Sequence, residues 1–135
     1  METITPSTPP PVITGEDKTA AIVSYLTFVG FIVAIILNSN KKTRLGAYHL
    51  RQTLGFFLTI IVGWIALVIT VFVLVLMSAF LHFLLVILVP LLYLTFAGAI
   101  LTLWIMGFIA AINGEMKPMP IVGPLYQQWF GTAFE

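Results

Sequence analysis

One feature limits this chain more than any other. From Gln52 to Gly114, 63 residues pass without a Lys, Arg, Asp or Glu. As one helix at ~1.5 Å per residue this stretch would reach roughly 95 Å, about three times a hydrocarbon core of ~30 Å, so it must fold back at least once. A shorter uncharged run, Thr19 to Leu37, precedes it and is close to the ~20 residues that a single crossing needs. Glu16 and Asp17 stand before that run, where negative charge suits a helix N-terminus. Asn38-Ser39-Asn40 and then Lys41, Lys42 and Arg44 end it. The 135 residues are 60% hydrophobic and 8% charged, against about 25% charged in a soluble domain. So few charges cannot cover a water-soluble fold this apolar, and the chain reads as an integral membrane protein.

Breaks inside the long run are scarce: Ser78-Ala79 is weakly polar, His82 is close by, and Pro90 is the only proline. The pattern predicts spans at about 19–37, 53–77 and 90–112, with the Asn113-Gly114 pair as the C-cap of the last. The expected architecture is an all-α membrane protein, a small bundle of three transmembrane helices with four as the alternative. A cytoplasmic amphipathic helix, Arg44 to Gly55, is expected to lead into the second span. Residues 1–18, rich in Pro and Thr, read as a disordered tail without the basic start of a secretory signal. Residues 113–135 read as a Pro/Gly-rich tail at the membrane interface. The loop 38–51 holds Lys41, Lys42, Arg44 and Arg51 and no acid, which places it in the cytoplasm and the N-terminus outside.

Composition also excludes functions. A net charge of +1 with no basic stripe gives nucleic acid no footprint. The absence of cysteine removes disulfides, thiolate metal sites and thiol catalysis. No cofactor, metal or catalytic set is expected. Candidate helix-packing positions are the small and hydroxyl residues at helical spacing: Ser24, Thr27 and Gly30; Thr59, Gly63 and Ala66; Thr95, Gly98 and Thr102. Trp64 and Trp104 read as lipid-facing or packing residues, and His82 as an interfacial anchor.

Polar chemistry gathers in two places. His49, Arg51 and Gln52 open the second span, with His49 and Gln52 three apart and so on one helix face. Asn113, Gly114, Glu115, Lys117, Pro118, Pro120 and Gly123 close the last. Both lie at one membrane boundary in the three-span arrangement. Glu115 is therefore expected to pair with Arg51, Lys41 or His49, and Asn113 to meet Gln52. The structural role, satisfying loop backbone and helix ends, is favoured over acid–base catalysis.

The order of these motifs, H-x-x-Q then N-G-E-x-K-P-x-P-x-x-G, resembles the Tic-twenty-like family of small bacterial membrane proteins, related to a component of the chloroplast inner-envelope import translocon. The resemblance covers roughly residues 15–124. It implies a bacterial inner membrane location and a scaffold or accessory role in a protein translocation or envelope complex. An oligomeric channel or permease for ions or small solutes and a lipid-interacting, membrane-shaping protein are the alternatives. The expected partners are the lipid bilayer and a membrane protein or a second copy.

Overall fold

The computed structural model describes residues 17–78 and 82–135. Of the expected disordered tail, 1–18, residues 1–16 lie outside them, as does the centre of the expected turn at 79–81; Asp17 and Lys18 are within the described residues and both make contacts to the rest of the chain. Among the described residues there are five helices and no strand: α1 (Thr19–Val23), α2 (Phe28–Lys41), α3 (Arg44–Met77), α4 (His82–Asn113) and α5 (Gly123–Phe130). They form two compact units. One gathers the chain up to Gly55 with Ile105–Glu135, and the other is Phe56–Trp104.

In the first unit, the run expected as one crossing is broken. Thr27 is extended (φ −158°, ψ 171°), and its hydroxyl accepts the Gly30 N–H at 2.9 Å, capping α2. Ser24, just before the break, donates to the Ala21 carbonyl and meets the Thr53 hydroxyl at 3.0 Å. A Cβ at Gly30 would lie 2.5 Å from the Val23 carbonyl oxygen, so only glycine lets α2 start this close to the end of α1. The two ends of the segment then meet, for Asp17 and Lys41 form an ion pair. A segment whose ends touch has doubled back, and this corrects the reading of 19–37 as a straight span. The Lys41 ammonium, with hydrogen bonds from Thr19, holds the Asp17 carboxyl well below the usual carboxylate range.

The expected basic loop is mostly helix. Lys42, in the left-handed region at φ 48°, and Thr43 alone link α2 to α3. Thr43 caps α3 by accepting the Gly46 N–H at 3.0 Å. No separate amphipathic helix precedes the second span, because Arg44–Gly55 is the first part of α3 itself. There Leu45, Ala47, His49, Leu50, Arg51, Gln52 and Thr53 are all buried. Arg44 is exposed and Tyr48 half-buried, but with most of its length covered this stretch belongs to the core of the unit.

α4 begins at His82, which is exposed, and carries Pro90 inside it rather than at its start. It ends on Gly114 at φ 73°, with Gly114 N–H to Ala111 O at 3.1 Å and Glu115 N–H to Ala110 O at 2.9 Å. Those are the two bonds of a Schellman motif. Lys18 Nζ donates to the Ile112 carbonyl at 3.3 Å, a cation where the helix dipole is negative. The C-terminal tail contains one short helix: α5 starts with Pro in its first turn and buries Tyr126 against Gly55, while Trp129 is exposed.

The second unit is built from the apolar lengths of α3 and α4. Gly63 faces the Phe96 ring, and Trp64 lies 5.6 Å from Tyr93, centroid to centroid. Of the expected packing threonines, Thr95 and Thr102 are exposed, and each donates at 2.8 Å to its own helix, to Leu91 O and Gly98 O. Thr70 does the same to Ala66 O. Back-bonding satisfies such a hydroxyl without a second helix. Ala66 is exposed and Gly98 faces open space, whereas Thr59 is half-buried. The most apolar 18-residue stretch of α3 has 0% of its residues buried, and that of α4 has 6%. Core helices of a soluble protein would be covered. Helices this apolar and this bare have hydrocarbon as their solvent, where all backbone bonds must close within the helix.

The glycines give a direct check. Alanine at Gly55 puts a Cβ 2.2 Å from the Tyr126 ring, and alanine at Gly98 meets nothing within 4 Å. Thermal unfolding in mild detergent should show Gly55→Ala destabilised by about 1–3 kcal/mol, the usual cost of overpacking. Gly98→Ala should unfold at or above the wild-type temperature.

Candidate functional site

The two polar motifs are halves of one interaction. His49 and Gln52, one turn apart on α3, both face the extended segment that follows α4. His49 Nε2 lies 2.9 Å from the Glu115 carbonyl oxygen, Gln52 Nε2 donates to the Lys117 carbonyl at 3.0 Å, and the Met119 N–H donates to Gln52 Oε1 at 2.8 Å. The Gln52 amide thus offers one acceptor and one donor to alternate residues of an extended chain, as a neighbouring strand would. Both side chains are fully buried. A carbonyl only accepts, so Nε2 of His49 carries its proton. On the other side Tyr25, also buried, holds its hydroxyl 3.0 Å from His49 Nδ1. The neutral ring, accepting there from Tyr25, avoids an unpaired buried charge. Both ring nitrogens are thereby engaged.

The remaining motif residues shape the segment being gripped. A Cβ at Gly123 would lie within 3.0 Å of Pro118 backbone, so the P-x-P-x-x-G spacing closes a tight loop in which Gly123 packs on Pro118. Gly123 N–H bonds Met119 O at 3.0 Å, and Pro120 is half-buried inside the loop. Met119 is buried and reaches Gly107, where a Cβ would lie 2.5 Å from its methyl carbon. The side chains of Asn113, Glu115 and Lys117 turn away from the clamp and line a depression of about 320 Å³.

The expected charge pairs are therefore replaced by others. Glu115 contributes its backbone carbonyl to His49, and among the described residues its carboxylate makes no ion pair. Lys41 pairs with Asp17. Arg51 reaches the C-terminal tail, donating from Nε to Gln127 Oε1 at 2.8 Å and from Nη1 to the Ala133 carbonyl at 3.3 Å and Glu135 Oε1 at 3.1 Å. Gln127 in turn donates to the Tyr48 carbonyl at 3.0 Å. Gln52 bonds the 117–119 backbone rather than Asn113. Sequence reasoning missed Tyr25 and Gln127. The available signal was a tyrosine hydroxyl inside an apolar run, which must find a partner when buried. Among the described residues every buried side-chain polar atom has a hydrogen-bond partner, and no group of three His, Asp or Glu could hold a metal ion.

Two bare, apolar helices and a buried polar clamp that fastens the chain after them define a small all-helical membrane protein. A family model matches residues 16–126, and the chain belongs to that family: MamF_MmsF, the magnetosome magnetite crystal formation protein family. This corrects the Tic-twenty-like resemblance, and the role in protein translocation falls with it. The matched range takes in both halves of the clamp, so the H-x-x-Q and N-G-E-x-K-P-x-P-x-x-G signals lie within the matched family. No curated protein and no solved structure matches the chain.

Loss of the Gln52 amide strands the Lys117 carbonyl and the Met119 N–H, at about 1–3 kcal/mol for each group left unpaired. Gln52→Leu should lower stability accordingly and speed hydrogen exchange at the Met119 amide. Glu115→Ala, which leaves the backbone carbonyl in place, should stay within about 0.5 kcal/mol of wild type in the same unfolding measurement.

Proposed function

We propose that this chain is a non-enzymatic accessory protein of the magnetosome membrane that takes part in magnetite crystal formation. The observation that carries this reading is the family match over residues 16–126, which spans α1 through α4 and the clamp. The architecture supports an anchoring role. α3 and α4, at 34 and 32 residues, run to about 50 Å each and exceed one bilayer core. The polar groups concentrate at 41–53 and 113–135. The clamp stiffens that end, which favours presenting a fixed surface over moving a solute.

On this reading the protein crosses the membrane twice, by α3 and α4, in place of the three crossings expected from sequence. The Asp17–Lys41 pair supports it, since the hairpin of α1 and α2 returns to the side it left. Lys41, Lys42, Arg44 and Arg51 favour the cytoplasm for that side. Both chain ends then share it, and the ends of α3 and α4 at Met77 and His82 lie across the membrane.

Reporter fusions at residues 1 and 135 should read the same compartment, and opposite compartments would refute two crossings. For the function, deletion in a magnetite-forming bacterium that carries the gene should change the size or shape of its crystals. Wild type should restore them, and a tagged copy should fractionate with magnetosomes. Unaltered crystals together with exclusion from that fraction would reject the reading.

A further inference from the structure

Beside the clamp, the start of α3 bounds a concave pocket of about 460 Å³, lined by Lys42, Arg44, Tyr48, Arg51, Met116 and Glu135 among others. Three cationic side chains and one carboxylate side chain line it. Among the described residues Lys42 and Arg44 have no ion-pair partner. Arg51 is held rigid by Gln127 and the Ala133 carbonyl, and its side chain is only 11% exposed. The side-chain carboxylate of Glu135 sits on the Arg51 guanidinium at 3.1 Å and is itself 58% exposed. With its carboxylate half open to solvent, such a pair is readily screened and the carboxylate can be displaced from the fixed guanidinium. Guanidinium groups in a fixed geometry match the oxygens of a phosphate as well as those of a carboxylate. The clearly apolar length of α3 begins within two turns of Arg51, which is the depth of a lipid headgroup.

We propose that this pocket binds a phosphate-bearing anion, with a lipid headgroup as the favoured source, and that the Glu135 side chain occupies it as a displaceable plug. The phosphate takes the place of the Glu135 carboxylate on Arg51 and gains Lys42 and Arg44. This goes beyond the magnetosome reading and does not depend on it.

The test uses the full chain in mild neutral detergent, with phosphatidic acid or phosphatidylcholine added and lipid retention read by native mass spectrometry. Wild type should retain one phosphatidic acid per chain in preference to phosphatidylcholine. The double variant Lys42→Gln, Arg44→Gln should retain about a hundredfold less, since each of the two lost charge-assisted bonds removes on the order of a factor of ten. Glu135→Gln should retain severalfold more. Glu115→Gln makes the same charge change outside the pocket and should leave retention unchanged. Displacement by millimolar inorganic phosphate would assign the site to the phosphate group alone, and resistance to it would assign the site to the lipid. Equal retention of both lipids, a double variant that behaves as wild type, or equal gains from Glu135→Gln and Glu115→Gln would each overturn the proposal.

Discussion

The fold depends on a side chain standing in for a strand. An extended segment that leaves a membrane helix exposes backbone donors and acceptors that hydrocarbon and close packing cannot satisfy. Here the Gln52 amide and the His49 ring supply that partner from a helix. His49 and Gln52, one turn apart on the helix, meet the carbonyls of residues 115 and 117, which are two apart and so point the same way along an extended chain. Gln52 serves because its amide carries donor and acceptor together. His49 serves because it bridges the Tyr25 hydroxyl and the Glu115 carbonyl without a buried charge.

The same economy of polar groups governs the apolar helices. Threonines that read as contacts between helices close on their own carbonyls, and Gly98 opens onto nothing in the chain. The close approach between the two helices falls to Gly63 against Phe96. Spacing reports that a small-residue stripe exists. It does not report whether a hydroxyl turns outward or back, because both outcomes preserve the helical period.

Much of the architecture was legible in the residues. The absence of charge from 52 to 114 required apolar helices that fold back, and the Asn113-Gly114 pair marked where the last one ends. The shared face of His49 and Gln52 and the loop chemistry of 113–123 pointed to one boundary. The partners were not legible, since pairing by charge suggested Glu115 where geometry uses its carbonyl. The hairpin at 17–41 was hidden for a different reason. A run of 19 uncharged residues has the same hydropathy whether it crosses or returns, and the deciding contact, Asp17 with Lys41, joins residues that flank the run rather than lie in it. The family resemblance failed in a similar way: the residues that carried it fasten a loop, and a structural role of that kind does not specify a function.

The clamp bonds join residues 65 to 67 positions apart, with most of α3 and all of α4 between them. During synthesis His49 and Gln52 therefore emerge well before anything they can grip. They lack these partners until α4 and the segment after it have been made. A chain arrested after α3 does not yet contain the backbone groups that His49 and Gln52 bond, and only the length through Met119 supplies them all. Closure of the clamp thus requires that the whole of α4 has already been synthesised.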